Sequence, residues 1–149
     1  FPVGAVWART EVANAFQPGD HGSTYSATAL AAAVVRAVIT EMRRIDAPAL
    51  AARQGARLAD ALATVPGVVA VRGQGLLLAA ELAPGIDAKM AYAALLERGV
   101  VCNAVTPTAL RFAPPLTVRD AEIDEVVAML TAVLADLAAP AESATGVVS

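Results

Sequence analysis

The 149-residue chain has one cysteine, one histidine and one lysine, and aromatic residues make up only 4% of it. Each scarcity excludes something. A lone Cys102 rules out an internal disulfide and fits a reducing compartment, so a cytoplasmic location is expected. His21 by itself cannot build a histidine-rich metal site, and no metal is expected. Nor does its spacing supply an orienting carboxylate, so a Ser–His–Asp relay is poorly provided for. The net charge is −3 with no basic block, which argues against nucleic acid and anionic membrane as partners. No run of large apolar side chains is long enough to span a bilayer, and no signal-peptide pattern opens the chain. The chain starts Phe1-Pro2-Val3-Gly4, without Met, and reads as a piece of a longer protein.

Hydrophobic residues are 57% of the sequence, but alanine supplies much of that fraction. The length suffices for a domain with a real core. The organising stretch is Asp20-His21-Gly22-Ser23-Thr24-Tyr25, set before a long apolar run. A helix starting there would place free backbone N–H groups and a positive dipole end beside two hydroxyls, a site for phosphate or carboxylate. Ser23 or Thr24 could equally serve as an ordinary N-cap.

In chain order, residues 3–8 read as a strand and residues 9–17 as a short helical or irregular connection. A helix over about 28–44 carries Leu30, Val34, Val38 and Met42 at steps of four, with alanine on most other faces, and is expected to be buried on several sides. Asp46 and Pro48 predict the N-cap and first turn of a second helix running to about residue 64. Strands follow over 68–72 and 76–82, joined by Gly73-Gln74-Gly75 as a tight hairpin or bulge. A helix is expected over 87–98. Strands over 100–105 and 109–112 are joined by Thr106-Pro107-Thr108. The last helix, 119–137, repeats Ile123, Val126, Val127, Leu130, Val133, Leu134 and Leu137 on one face, with Thr117 and Asp120 resembling a capping box. The β-β-α-β-β-α order implies antiparallel pairing with helices on one face of the sheet. Three parts are expected: residues 1–45, residues 46–138, and a disordered tail, 139–149.

Arg111 lies within the apolar stretch Ala109-Leu110-Arg111-Phe112-Ala113. Its guanidinium could grip a carboxylate bidentately, face solvent, or enter a structural ion pair. Arg72-Gly73-Gln74-Gly75 lacks the third glycine and following helix of a dinucleotide fingerprint, so a hairpin turn is the better reading. Cys102 reads as an inert core thiol and Lys89 as a solvated surface charge.

Taken together, four stretches resemble the C-terminal part of class III, fold-type I, pyridoxal-phosphate aminotransferases, with an acetylornithine aminotransferase-like pattern. Phe1-Pro2-Val3-Gly4-Ala5 is similar to the segment after the family's Schiff-base lysine. His21-Gly22-Ser23-Thr24-Tyr25 resembles its phosphate segment. Arg72-Gly73-Gln74-Gly75-Leu76 with Glu81-Leu82 resembles its R-G-x-G-L…E-L hairpin, and Leu110-Arg111-Phe112-Ala113-Pro114-Pro115-Leu116 its L-R-[FL]-x-P-P-L strand. Residues 101–111, with Asn103, Pro107, Leu110 and Arg111, are similar to the N-x-x-x-P…L-R pattern of the acetylornithine aminotransferase group. After Tyr25 the chain departs from the family's G-G-N-P-L, reading Ser26-Ala27-Thr28-Ala29-Leu30.

The resemblance implies an α/β fold: the end of a cofactor-binding large domain with an interdomain helix, then a small α+β domain with an antiparallel sheet. It implies pyridoxal 5'-phosphate as cofactor, with Ser23 and Thr24 on its phosphate across a homodimer interface, and Arg111 on the substrate α-carboxylate. The Schiff-base lysine is expected upstream of Phe1. The implied reaction is amino transfer from N-acetylornithine to 2-oxoglutarate in arginine biosynthesis. Alternatives are ornithine, 4-aminobutyrate or succinyl-diaminopimelate aminotransfer, or a truncated, non-catalytic module that dimerises or binds a partner.

Overall fold

The computed structural model describes residues 2–24 and 26–139. All of the expected tail 139–149 except Ala139, and the parts of the motifs carried by Phe1 and Tyr25, lie outside the described residues. The chain divides into two units, Phe1–Asp46 and Ala47–Ser149.

The first unit holds a one-turn helix, α1 (Thr10–Ala13), and a long helix, α2 (Ala29–Arg44). Residues 3–8, expected as a strand, form no strand. An extended segment becomes a strand only when another backbone takes its N–H and C=O groups. α2 begins at Ala29, later than the hydroxyl pair. Its N-cap is Thr28, whose hydroxyl accepts from the Ala31 N–H at 3.3 Å. Neither Ser23 nor Thr24 is therefore the N-cap of α2, and α2's free N–H groups do not lie at Gly22–Thr24. Arg43 and Arg44 sit in the last turn, where positive charge suits the helix dipole, and Arg44 also pairs with Glu41.

α2 also differs from expectation in burial. Only Ala31 is buried, whereas Leu30 is 65% exposed and Val38 51%. The four-residue spacing is present, but the packing partners it anticipates are not among the described residues. Asp46, expected to start the next helix, has φ 48°, not the extended backbone of an N-cap. It follows the α2 C-cap Ile45, and its N–H bonds the Arg43 carbonyl. Aspartate tolerates this left-handed conformation, so Asp46 ends α2.

The second unit runs α3 (Ala47–Ala63), β1 (Val68–Gln74), β2 (Leu77–Leu82), α4 (Ala88–Glu97), β3 (Asn103–Thr106), β4 (Ala109–Phe112) and α5 (Asp120–Ala138). The four strands form an antiparallel sheet in the order β1-β2-β4-β3. Alternation assigns its two faces. Leu78, Ala80, Leu82, Leu110 and Phe112 are buried, while Arg111 and Leu77 point to the open side. α3 packs on β1 and β2, α4 on β3 and β4, and α5 against α3 and α4. Leu58 and Leu62 of α3, Leu95 of α4, and Ile123, Leu130 and Leu134 of α5 complete the core. Helices thus cover one face of an antiparallel sheet.

The glycines of the first hairpin have separate causes. Gly73 has φ +130°, and a Cβ there would lie 2.1 Å from the Leu77 carbonyl oxygen. No other residue fits that close approach. β1 continues through it to Gln74, which moves the turn to Gly75-Leu76. β3 starts at Asn103, three residues later than expected. α5 is capped from Glu122 instead of the Thr117/Asp120 pair. The Glu122 carboxylate accepts from the Arg119 N–H at 2.8 Å and from the Arg119 guanidinium at 2.7 Å. Asp87 caps α4, accepting from the N–H groups of Lys89 and Met90.

Candidate functional site

In the first unit, the segment between α1 and α2 folds as a series of turns around Ser23. The Asp20 carboxylate accepts from the Gln17 N–H at 2.7 Å, and the Ser26 N–H donates to the Ser23 carbonyl at 3.2 Å. Ala27 has φ 51° and turns the chain into the Thr28 cap. An open depression of about 620 Å³ is lined by Phe16, Gln17, His21, Gly22, Ser23 and Ser26, among others. Ser23 and Ser26 also line a neighbouring depression with Gly4 and Thr28. His21 stacks edge-on against Phe16, with ring centroids 5.0 Å apart. Ser26 and Thr28 were not singled out from the sequence. Their only signal was an excess of hydroxyls between Gly22 and the helix.

In the second unit, register sets out the open sheet face. Arg72 lies opposite Ala79, Ala79 opposite Arg111, and Arg111 opposite Asn103. Cross-strand partners share a face, so these four side chains form one row. Arg111 is exposed, and its Nη2 donates to Asn103 Oδ1 at 3.0 Å. Among the described residues no carboxylate pairs with it, so the alternative of a structural ion pair is not realised there. Arg72, by contrast, is paired: its Nη2 lies 3.3 Å from Glu81 Oε2.

Glu81 also accepts from the Thr108 hydroxyl. That bond first, and the Arg72 guanidinium second, hold its carboxyl below the usual range. Cys102 is buried, and burial pushes its thiol up, away from nucleophilic thiolate. Lys89 is exposed in the first turn of α4. Among the described residues no group of histidine, cysteine and carboxylate side chains could hold a metal ion, and no helix is long and apolar enough to cross a membrane.

Ser23 and Thr24 thus belong to one unit and Arg111 to the other. The chemistry each presents is distinct: hydroxyls and glycine backbone in a depression, and an unneutralised guanidinium fork on a sheet.

Comparison with known proteins relates the two halves. The family model for class-III aminotransferases matches residues 1–134. Acetylornithine aminotransferase of Corynebacterium efficiens is 40% identical over 136 residues, covering 91% of this chain and 33% of that protein. Ornithine aminotransferase of Bordetella pertussis is likewise 40% identical, over 137 residues, covering 91% and 33%. A solved ornithine aminotransferase from Toxoplasma gondii, with PLP at partial occupancy in its active site, has a TM-score of 0.72 at 30% identity, covering 87% of this chain and 32% of its own. This chain spans about a third of the length of these relatives. With the family match running through both units, the chain belongs to the class-III aminotransferases.

Proposed function

We propose that this chain is part of a pyridoxal-phosphate-dependent aminotransferase that moves an amino group from N-acetylornithine to 2-oxoglutarate, in arginine biosynthesis. The observation that carries the reading is Arg111, a guanidinium displayed on an open sheet face with no carboxylate partner among the described residues. Amino donor and oxo-acid acceptor share one group that must be held in both half-reactions, the α-carboxylate. A planar fork holds it through two parallel N–H···O bonds and leaves the α-carbon free.

The residues around Ser23 suit the cofactor's phosphate. Ser23, Ser26 and Gly22 line an open depression, with Thr24 next to Ser23 in the chain, and the Asp20 carboxylate nearby in sequence is engaged with the Gln17 N–H. In the assembled enzyme this segment serves the neighbouring subunit of a cytoplasmic homodimer. Bound pyridoxal phosphate supplies the electron-withdrawing ring that makes the amino acid's α-hydrogen acidic. The lysine that such chemistry requires is not Lys89, the sequence's only lysine, which sits exposed on α4. That role falls to a residue outside this sequence, and the 149-residue chain by itself has no turnover.

Ornithine as donor is the second reading, favoured by the equal 40% identity to an ornithine aminotransferase. A donor panel with the complete protein separates them. Turnover of N-acetylornithine well above ornithine supports the first, and the reverse order supports the second. Absence of turnover with any amino donor in the presence of pyridoxal phosphate would favour a non-catalytic module.

A further inference from the structure

The row across the open sheet face treats the two flanks of Arg111 differently. On β2 its neighbour is the methyl group of Ala79, and on β3 it is the carboxamide of Asn103. The Asn103 Oδ1 accepts from one Nη2 at 3.0 Å. A guanidinium has five N–H donors in a fixed plane, so one bond to β3 fixes the plane and leaves the remaining donors for a ligand. A long side chain left free would lose rotamer freedom on binding, and this bond removes part of that loss beforehand. The chemical type of the partner matters as much as its position. A carboxamide holds the fork while leaving its charge intact, whereas a carboxylate at the same place would neutralise it and compete with any anionic ligand. The contrast stands two strands away in the same row, where Arg72 is tied to the Glu81 carboxylate.

We propose that Asn103 is a positioning residue for carboxylate recognition, orienting the Arg111 fork from β3 while Ala79 leaves the β2 flank open to the substrate. The proposal rests on the reading of Arg111 given above. Its test uses the complete holoenzyme carrying Asn103→Ala, Asn103→Asp or Arg111→Lys, with folding confirmed by circular dichroism. The probe is glutarate, an unreactive dicarboxylate, titrated calorimetrically, alongside KM and kcat for amino donor and oxo-acid.

Asn103→Ala is expected to weaken glutarate and raise both KM values about three- to tenfold, the scale of one hydrogen bond, with kcat nearly unchanged. Asn103→Asp should weaken glutarate further than Asn103→Ala, although it keeps a partner for Arg111. A merely structural role would make the aspartate variant the milder one. Wild-type affinity in both Asn103 variants, or an aspartate variant that binds better than the alanine one, while Arg111→Lys still loses affinity, would overturn the proposal alone. Wild-type affinity in Arg111→Lys would overturn the reading of Arg111 and the proposal with it.

Discussion

Gly55 of α3 and Gly75 of the β1–β2 turn meet backbone to backbone: a Cβ on Gly55 would stand 2.2 Å from the Gly75 carbonyl oxygen. The helix can lie this close to the hairpin only because Gly55 has no side chain. Gly55→Ala raises helix propensity, but the contact is with backbone, which cannot rotate away. The expected result is destabilisation by about 1–3 kcal/mol, the cost of overpacking, read as a lower Tm or denaturant midpoint. Gly4→Ala, with nothing within 4 Å of the added Cβ, should leave both unchanged.

Gln54, the residue before Gly55, ties α3 to the start of α5. Its buried side chain donates from Nε2 to the Val118 carbonyl and to Asp120 Oδ1, each at 2.9 Å. Arg57 lies beside it with Nη2 2.6 Å from Asp124 Oδ1. Gln54→Leu keeps the volume but strands a buried carbonyl, at an expected cost of about 1–3 kcal/mol in urea unfolding. Arg57→Ala, which removes a half-exposed ion pair, should cost less than Gln54→Leu.

The helices and hairpins of the second unit were largely legible in the sequence, because each signal there is local. The apolar spacing of α5 matches its buried Ile123, Leu130 and Leu134. The two glycines near Gln74 mark a hairpin that the structure contains, shifted by two residues because Gly73 stays within the strand. The first unit was less legible for a physical reason. Its strand over residues 3–8 and its buried α2 both depended on partners that no local pattern specifies. Likewise, Ser23 and Thr24 were singled out by residue type, yet the helix start is set by Ala27 at φ 51° and the Thr28 cap. Arg111 was conspicuous as a lone charge in an apolar strand. Asn103 stood out only as the Asn of the N-x-x-x-P…L-R pattern, since its cross-strand pairing with Arg111 exists only once register is fixed.

Glu81 makes stability depend on pH at the low end. Its folded carboxyl is held below its ordinary value by the Thr108 hydroxyl and then by Arg72. A depressed folded pKa contributes stability that is present above the unfolded value, about 4.3, and is lost as pH falls through the folded one. Urea unfolding of wild type between about pH 6 and pH 3 should show this loss. Glu81→Gln should show a shallower decline over the same window, as should Thr108→Val to a smaller extent. Parallel curves for wild type and Glu81→Gln would refute the linkage.

The most direct measurement is kcat/KM of the complete enzyme for the amino donor and the oxo-acid acceptor separately, in Arg111→Lys and in Arg53→Lys, an exposed arginine on α3. If Arg111 grips the carboxylate common to both substrates, Arg111→Lys keeps the charge but loses the fork. Both values should then fall by about tenfold or more, with cofactor still bound, while Arg53→Lys matches wild type. Unchanged values for both substrates in Arg111→Lys would contradict the account.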